Sequence, residues 1–172
     1  MDQRERILDA VQDLTSANGR LPSILEVASQ VGLTKQGVLH YFPTRAALDA
    51  AVVLRALAKV DAAMGEAAAS GSPTATYLQL SSPDGGDQAA LMVLAAAFRG
   101  RATGLPPEVA QAIARWEALI ADELGDPVRA EIVRLAGDGL FGEALVTGTP
   151  PTAERIERLV THLRVGSTRR RA

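Results

Sequence analysis

The chain has 172 residues, 47% of them apolar and 22% charged, enough to bury a core and too apolar for a disordered chain. It contains no cysteine, which excludes disulfides, thiolate metal sites and cysteine nucleophiles. The formal net charge is -2, so any contact with nucleic acid must come from a local patch and not from the field of the whole molecule.

Aromatic residues make up only 3% and alanine is abundant, a mix that favours helices packed through small side chains. Ile7, Leu8, Val11 and Leu14 mark the apolar stripe of a first helix, which stops near Gly19. A second helix opens at Ser23, where Ser-Ile-Leu-Glu forms a capping box with Glu26, and buries Val27, Ala28 and Val31. Gly32 breaks it. A third, short helix is capped by Thr34 and ends at Phe42-Pro43, burying Val38 and Phe42 one turn apart. Thr44 caps a fourth, longer helix running through Leu48, Val52, Leu57 and Met64 to about Ala69.

Gly71-Ser72-Pro73 and the run Ser81 to Gly86 are loop signals around a short fifth helix. Further helices are expected from Asp87 to about Arg101, from Pro106 to Leu124, from Asp126 to about Val146 and from Thr152 to Val165. A basic tail, Arg169-Arg170-Arg171, follows. The fold class is therefore all-α, with about nine helices and no internal repeat.

The longest apolar run, Ala89 to Phe98, is half the length a bilayer span needs. Asp2, Arg4, Glu5, Arg6, Asp9 and Asp13 do not suit a secretory signal. A cytoplasmic protein with no membrane partner is expected by elimination.

Residues 23 to 45 carry the function-bearing pattern. Two short helices joined by Val31, Gly32 and Leu33 have the form of a helix-turn-helix. With Val38 and Phe42 turned inward, Thr34, Lys35, Gln36, Gly37, His40 and Tyr41 remain for the outer face. Lys35 suits a phosphate or guanine acceptors, Gln36 a bidentate pair with adenine, and Gly37 a close approach to the groove. His40 and Tyr41 can donate to phosphates. Thr44 and Arg45 place a helix N-terminus and a cation together, as anion binding requires.

Residues 4 to 48 resemble the N-terminal domain of the tetracycline-repressor (TetR) family. The resemblance rests on Arg6-Ile7-Leu8-Asp9-Ala10, Gly19, Val27-Ala28, the ungapped run from Gly32 through Arg45, and Leu48. The chain departs from the commonest pattern at Leu39, where an aromatic is usual, and at Arg45, where a lysine is usual. The resemblance implies double-stranded DNA as partner, in the form of a palindromic operator. The expected contacts are Ser23, Thr34, Lys35, Gln36, Gly37, Leu39, His40, Tyr41, Thr44 and Arg45.

It also implies a homodimer and a small-molecule effector held in a C-terminal helical body, with repression relieved by the ligand. The expected division is residues 1–47 for DNA binding, 48–166 for regulation and dimerisation, and 167–172 for the disordered tail. Val128, Ile132, Leu135, Leu140, Ile156, Leu159, Val160 and Leu163 lie on the last two helices, and two such helices from each subunit make a four-helix bundle. Met64, Tyr77, Met92, Phe98, Trp116 and Phe141 are the bulky residues expected to line an apolar cavity, with the Trp116 N–H pointing inward.

Gly137-Asp138-Gly139-Leu140-Phe141-Gly142 spells the dinucleotide fingerprint, but no strand precedes it and it sits within a helix, where close packing accounts for small residues better. His40 and His162 stand apart, and the acidic residues show no metal-ligand clustering, so neither an enzyme nor a cofactor is expected. The competing reading is a helical ligand-binding or protein-interaction module that no longer reads DNA, which the near-neutral charge allows.

Overall fold

Short-range capping sets most helix ends. Asp2 accepts from the Arg4 N–H to start α1 (Gln3–Asn18), and Gly19 closes it at φ 64°, a left-handed conformation open to glycine. Ser23 and Glu26 form both bonds of a capping box on α2 (Ile24–Val31), at 3.2 and 2.7 Å. Gly32, at φ 70°, ends that helix, and Thr34 Oγ1 accepts from the Gly37 N–H at 3.0 Å to start α3 (Lys35–Tyr41). Then come α4 (Arg45–Ser70), α5 (Pro73–Leu80), α6 (Gln88–Phe98), α7 (Pro107–Leu124), α8 (Pro127–Thr147) and α9 (Ala153–Arg164).

The structure, a computed structural model, describes residues 2–82, 88–98 and 105–164, apart from the side chains of Gln88, Phe98 and Leu145. The three-arginine tail and the Phe98 side chain, both singled out in the sequence, lie outside the described residues. Among the described residues the fold is all-α, with nine helices and no strand. No helix among them is long and apolar enough to cross a membrane.

The chain forms two compact units, one from residues 1–56 and 84–107 and the other from 57–83 and 108–172. In the first, Ile7, Leu8 and Val11 of α1 pack with Val27, Ala28 and Val31 of α2, Val38 and Phe42 behind α3, and Leu48 and Val52 of α4. Val38 is 0% and Phe42 2% exposed; burying each stabilises the unit by roughly 1.5–3 kcal/mol. Arg55 of α4 pairs with Asp9 at 2.7 Å and Glu5 at 3.4 Å on α1. The Ala89 N–H of α6 donates to Gln12 Oε1 of α1 at 3.1 Å, and Ala89 and Ala90 join the core.

The core of the second unit gathers Met64, Tyr77, Leu78, Trp116, Ile120, Val133, Leu140 and Ile156. Its polar tips are tied to carboxylates. Trp116 Nε1 donates to Asp61 at 2.6 Å, and the Tyr77 hydroxyl donates to Asp138 at 3.1 Å. Burial, reinforced by the Asp138 charge, pushes the Tyr77 hydroxyl well above its ordinary pKa. Arg134 links Glu117 and Asp138 at 2.6 and 2.8 Å. Glu123 accepts the Thr74 N–H at the start of α5 and the Arg164 guanidinium of α9.

Candidate nucleic-acid interface

In the first unit, α2, the turn at Gly32, α3 and the start of α4 form one continuous structure. Val38 and Phe42 anchor α3 from behind, which leaves Lys35, Gln36 and His40 exposed on its other side. Leu39 and Tyr41 are half-buried, and the His40 and Tyr41 rings meet edge-on at 5.3 Å between centroids. Gly37 has a structural reason to lack a side chain: a Cβ there would lie 3.3 Å from Leu33 Cβ and 3.5 Å from the capping Thr34 oxygen.

Three hydroxyls expected to meet DNA also hold helix ends. Ser23 caps α2, Thr34 caps α3, and Thr44 Oγ1 accepts from the Ala47 N–H at 3.0 Å at the start of α4. Arg45, expected to face an anion, is half-buried and bonded within the chain. Its Nε donates to Asp49 at 2.8 Å and its Nη1 to the Pro22 carbonyl, joining the start of α4 to the entry of α2. Burial raises the pKa of Asp49, and the Arg45 charge opposes that shift. Arg20 bonds Glu26, and this bond, with those from Ser23, holds the Glu26 carboxyl down at about 2.

No acidic residue occurs between Glu26 and Asp49, so the exposed side of α3 carries Lys35 without a carboxylate on its own segment. Arg4, not singled out in the sequence, donates to the Tyr41 carbonyl at the end of α3 at 3.0 Å. That contact spans 37 positions, and no local pattern announces it.

In the second unit, Met64, Tyr77 and Trp116 come together as close-packed core, with the Tyr77 and Trp116 rings 6.3 Å apart. The Trp116 N–H, expected to point into a cavity, reaches the Asp61 carboxylate. Phe141 is half-buried on α8, and Met92 belongs to α6 of the other unit. A groove of about 370 Å³ where α8 meets α9 is lined by Leu140, Glu143, Ala144 and Arg155 together with the turn from Thr147 to Thr152. Met64, Tyr77, Met92, Trp116 and Phe141 do not line it.

The expected dimer residues separate by face. Leu140 and Ile156 are buried in their own unit's core, and Leu159, Val160 and Leu163 are half-buried against it. Val128, Ile132 and Leu135 are exposed, and so is Val146 further along α8. Gly139 and Gly142 lie on the same stripe, where an added Cβ meets nothing within 4 Å. Among the described residues no cluster of three His, Cys, Asp or Glu side chains is placed to hold a metal ion.

The family described as tetracyclin repressor-like, C-terminal domain, matches residues 71–165, more than half of the chain. The chain belongs to the tetracycline-repressor family of transcriptional regulators. The family match covers α5 to α9, whereas the residues of the N-terminal resemblance lie in α1 to α4. Among solved structures, a transcriptional regulator from Rhodococcus sp. Rha1 is 22% identical, with 96% of this chain and 95% of that chain covered and a TM-score of 0.74. A protein from work on control of antibiotic production by bacterial hormones is 25% identical, covering 95% and 94%, with a TM-score of 0.68. The multidrug binding protein EbrR, complexed with ethidium, is 22% identical, covering 94% and 98%, with a TM-score of 0.68. At 22% identity, the Rhodococcus protein and EbrR show the tetracycline-repressor fold alone. Among curated proteins there is no match.

Proposed function

We propose that this regulator binds a palindromic operator as a homodimer, that α3 of each subunit reads the major groove, and that a small apolar effector in the C-terminal body releases it. The observation that carries the proposal is the two-sided character of α3: Val38 and Phe42 buried behind, Lys35, Gln36 and His40 free in front. Lys35 would meet phosphate or guanine, and Gln36 an adenine edge. Ser23, Thr34, Gly37, Leu39, Tyr41 and Thr44 would flank the contact, while Arg45 supports it from inside. Two such helices must lie about 34–36 Å apart to enter successive grooves.

The stripe Val128, Ile132, Leu135, Gly139, Gly142 and Val146 recurs every three or four residues along α8, the period of a helix–helix seam. Its glycines would let a partner helix approach closely. EbrR, a multidrug binding protein in complex with ethidium, supports the effector part of the proposal. Residues 1–47 would then serve DNA binding and 48–166 regulation and dimerisation. The Gln12–Ala89 bond offers a route by which a shift of α6 reaches the DNA-binding helices. The effector need only favour a conformer with different α3 spacing, since equal affinity for both conformers shifts nothing.

The test is selection of duplexes from a random-sequence pool by the wild-type protein and by Lys35→Ala and Gln36→Ala. Wild type should enrich a palindrome, and Gln36→Ala should lose preference at one base pair per half-site, worth roughly 1–3 kcal/mol. The same palindrome enriched at the same affinity by all three proteins contradicts the assignment.

A further inference from the structure

We infer that Arg4, on α1, is a positioning residue for α3: it closes the C-terminal end of that helix and so sets the angle at which Lys35 and Gln36 are presented. The inference rests on α3 being the DNA-reading helix. Arg4 Nη1 donates to the Tyr41 carbonyl at 3.0 Å, and Tyr41 is the last residue of α3. The same guanidinium lies over the Phe42 ring, its Cζ 4.5 Å from the centroid, and Phe42 is the buried anchor just beyond the helix.

A helix of seven residues is short enough to fray, and its last carbonyls have no partner within it. At its N-terminus Thr34 supplies the missing partner. At its C-terminus the capping residue, Phe42, is extended (φ -133°, ψ 91°), so no left-handed glycine turn closes the helix. Arg4 fills that role from another helix. A cation there also opposes the negative end of the helix dipole. A guanidinium can donate in its plane while its face stacks on a ring, whereas an ammonium has no planar face to stack. Three residues further along α1, Ile7 lies fully buried in the same core as Val38, so Arg4 projects from a fixed base.

The test compares wild type, Arg4→Ala and Arg4→Lys on a duplex selected from a random pool by the wild type and on a scrambled duplex of equal composition. Arg4→Ala should bind the selected duplex about tenfold more weakly. Its affinity for the scrambled duplex and the slope of affinity against salt should stay unchanged, with Arg4→Lys in between. Equal weakening on both duplexes, with the salt slope reduced by about one, would make Arg4 a phosphate contact and overturn the inference. A lower melting temperature with unchanged affinity would also overturn it, since that is a packing effect alone.

Hydrogen exchange without DNA gives a second readout. The Phe42 amide, which donates to Val38 O, should exchange faster in Arg4→Ala while α2 amides do not, and unchanged exchange at Phe42 contradicts the contact. A wild type that selects no sequence contradicts the DNA reading itself. A wild type that selects one, matched by Arg4→Ala, contradicts only the role of Arg4.

Discussion

Gly137 of α8 lies against the ring of Tyr77 of α5 so closely that a Cβ on residue 137 would sit 2.5 Å from Tyr77 Cε1 and 2.6 Å from Ser81 Oγ. Both neighbours are buried, and Tyr77 is held by its bond to Asp138 one residue along. This is the one glycine of the Gly137-Asp138-Gly139-Leu140-Phe141-Gly142 run whose absent side chain the chain's own packing explains. Gly139 and Gly142 face open space.

That contrast predicts opposite outcomes for two alanine substitutions about 3 Å of helix rise apart. Gly137→Ala should destabilise the protein by roughly 1–3 kcal/mol through overpacking against Tyr77. Gly139→Ala should raise helix stability by up to about 1 kcal/mol and, if α8 meets a partner there, weaken dimerisation. Thermal melts and sedimentation of both variants check this.

Ile132 is 49% exposed on the α8 stripe, between Val128 and Leu135. Ile132→Glu should yield a monomer of unchanged helix content, because the side chain lies outside the core. Sedimentation equilibrium with circular dichroism reads both quantities. A variant that remains dimeric would place the interface elsewhere.

Glu26 supplies a pH-dependent element. Its carboxyl is held from an ordinary 4.5 down to about 2, first by Arg20 and then by Ser23. A folded pKa below the unfolded one stabilises the protein above the ordinary value, and that contribution is lost as pH falls from about 4.5 toward 2. A carbon-detected titration should find Glu26 near 2 in wild type and closer to 4.5 in Arg20→Ala.

The helix-turn-helix was legible because its signals are local: Ser23 with Glu26, Gly32 and Thr34 each act within three or four residues. The bond from Arg45 to the Pro22 carbonyl has no such local signal, since it spans 23 positions. Trp116 and Asp61, 55 apart, and Gln12 and Ala89, 77 apart, were equally out of reach. On α8 the difficulty was of another kind. Val133 and Leu140 face inward while Val128, Ile132 and Leu135 face outward, so apolar residues line both sides and periodicity cannot separate core from surface.

The absence of cysteine permits the most direct test of α3 as the reading helix, because Gln36→Cys creates a unique attachment point for a copper–phenanthroline DNA-cleaving group. Cleavage should fall in two clusters centred about one helical turn apart on a duplex enriched by the wild type. A control label on the exposed Arg158 of α9, as Arg158→Cys, should cut nothing. Cleavage by the α9 label but not by the α3 label, on a duplex the protein demonstrably binds, would contradict α3 as the reading helix.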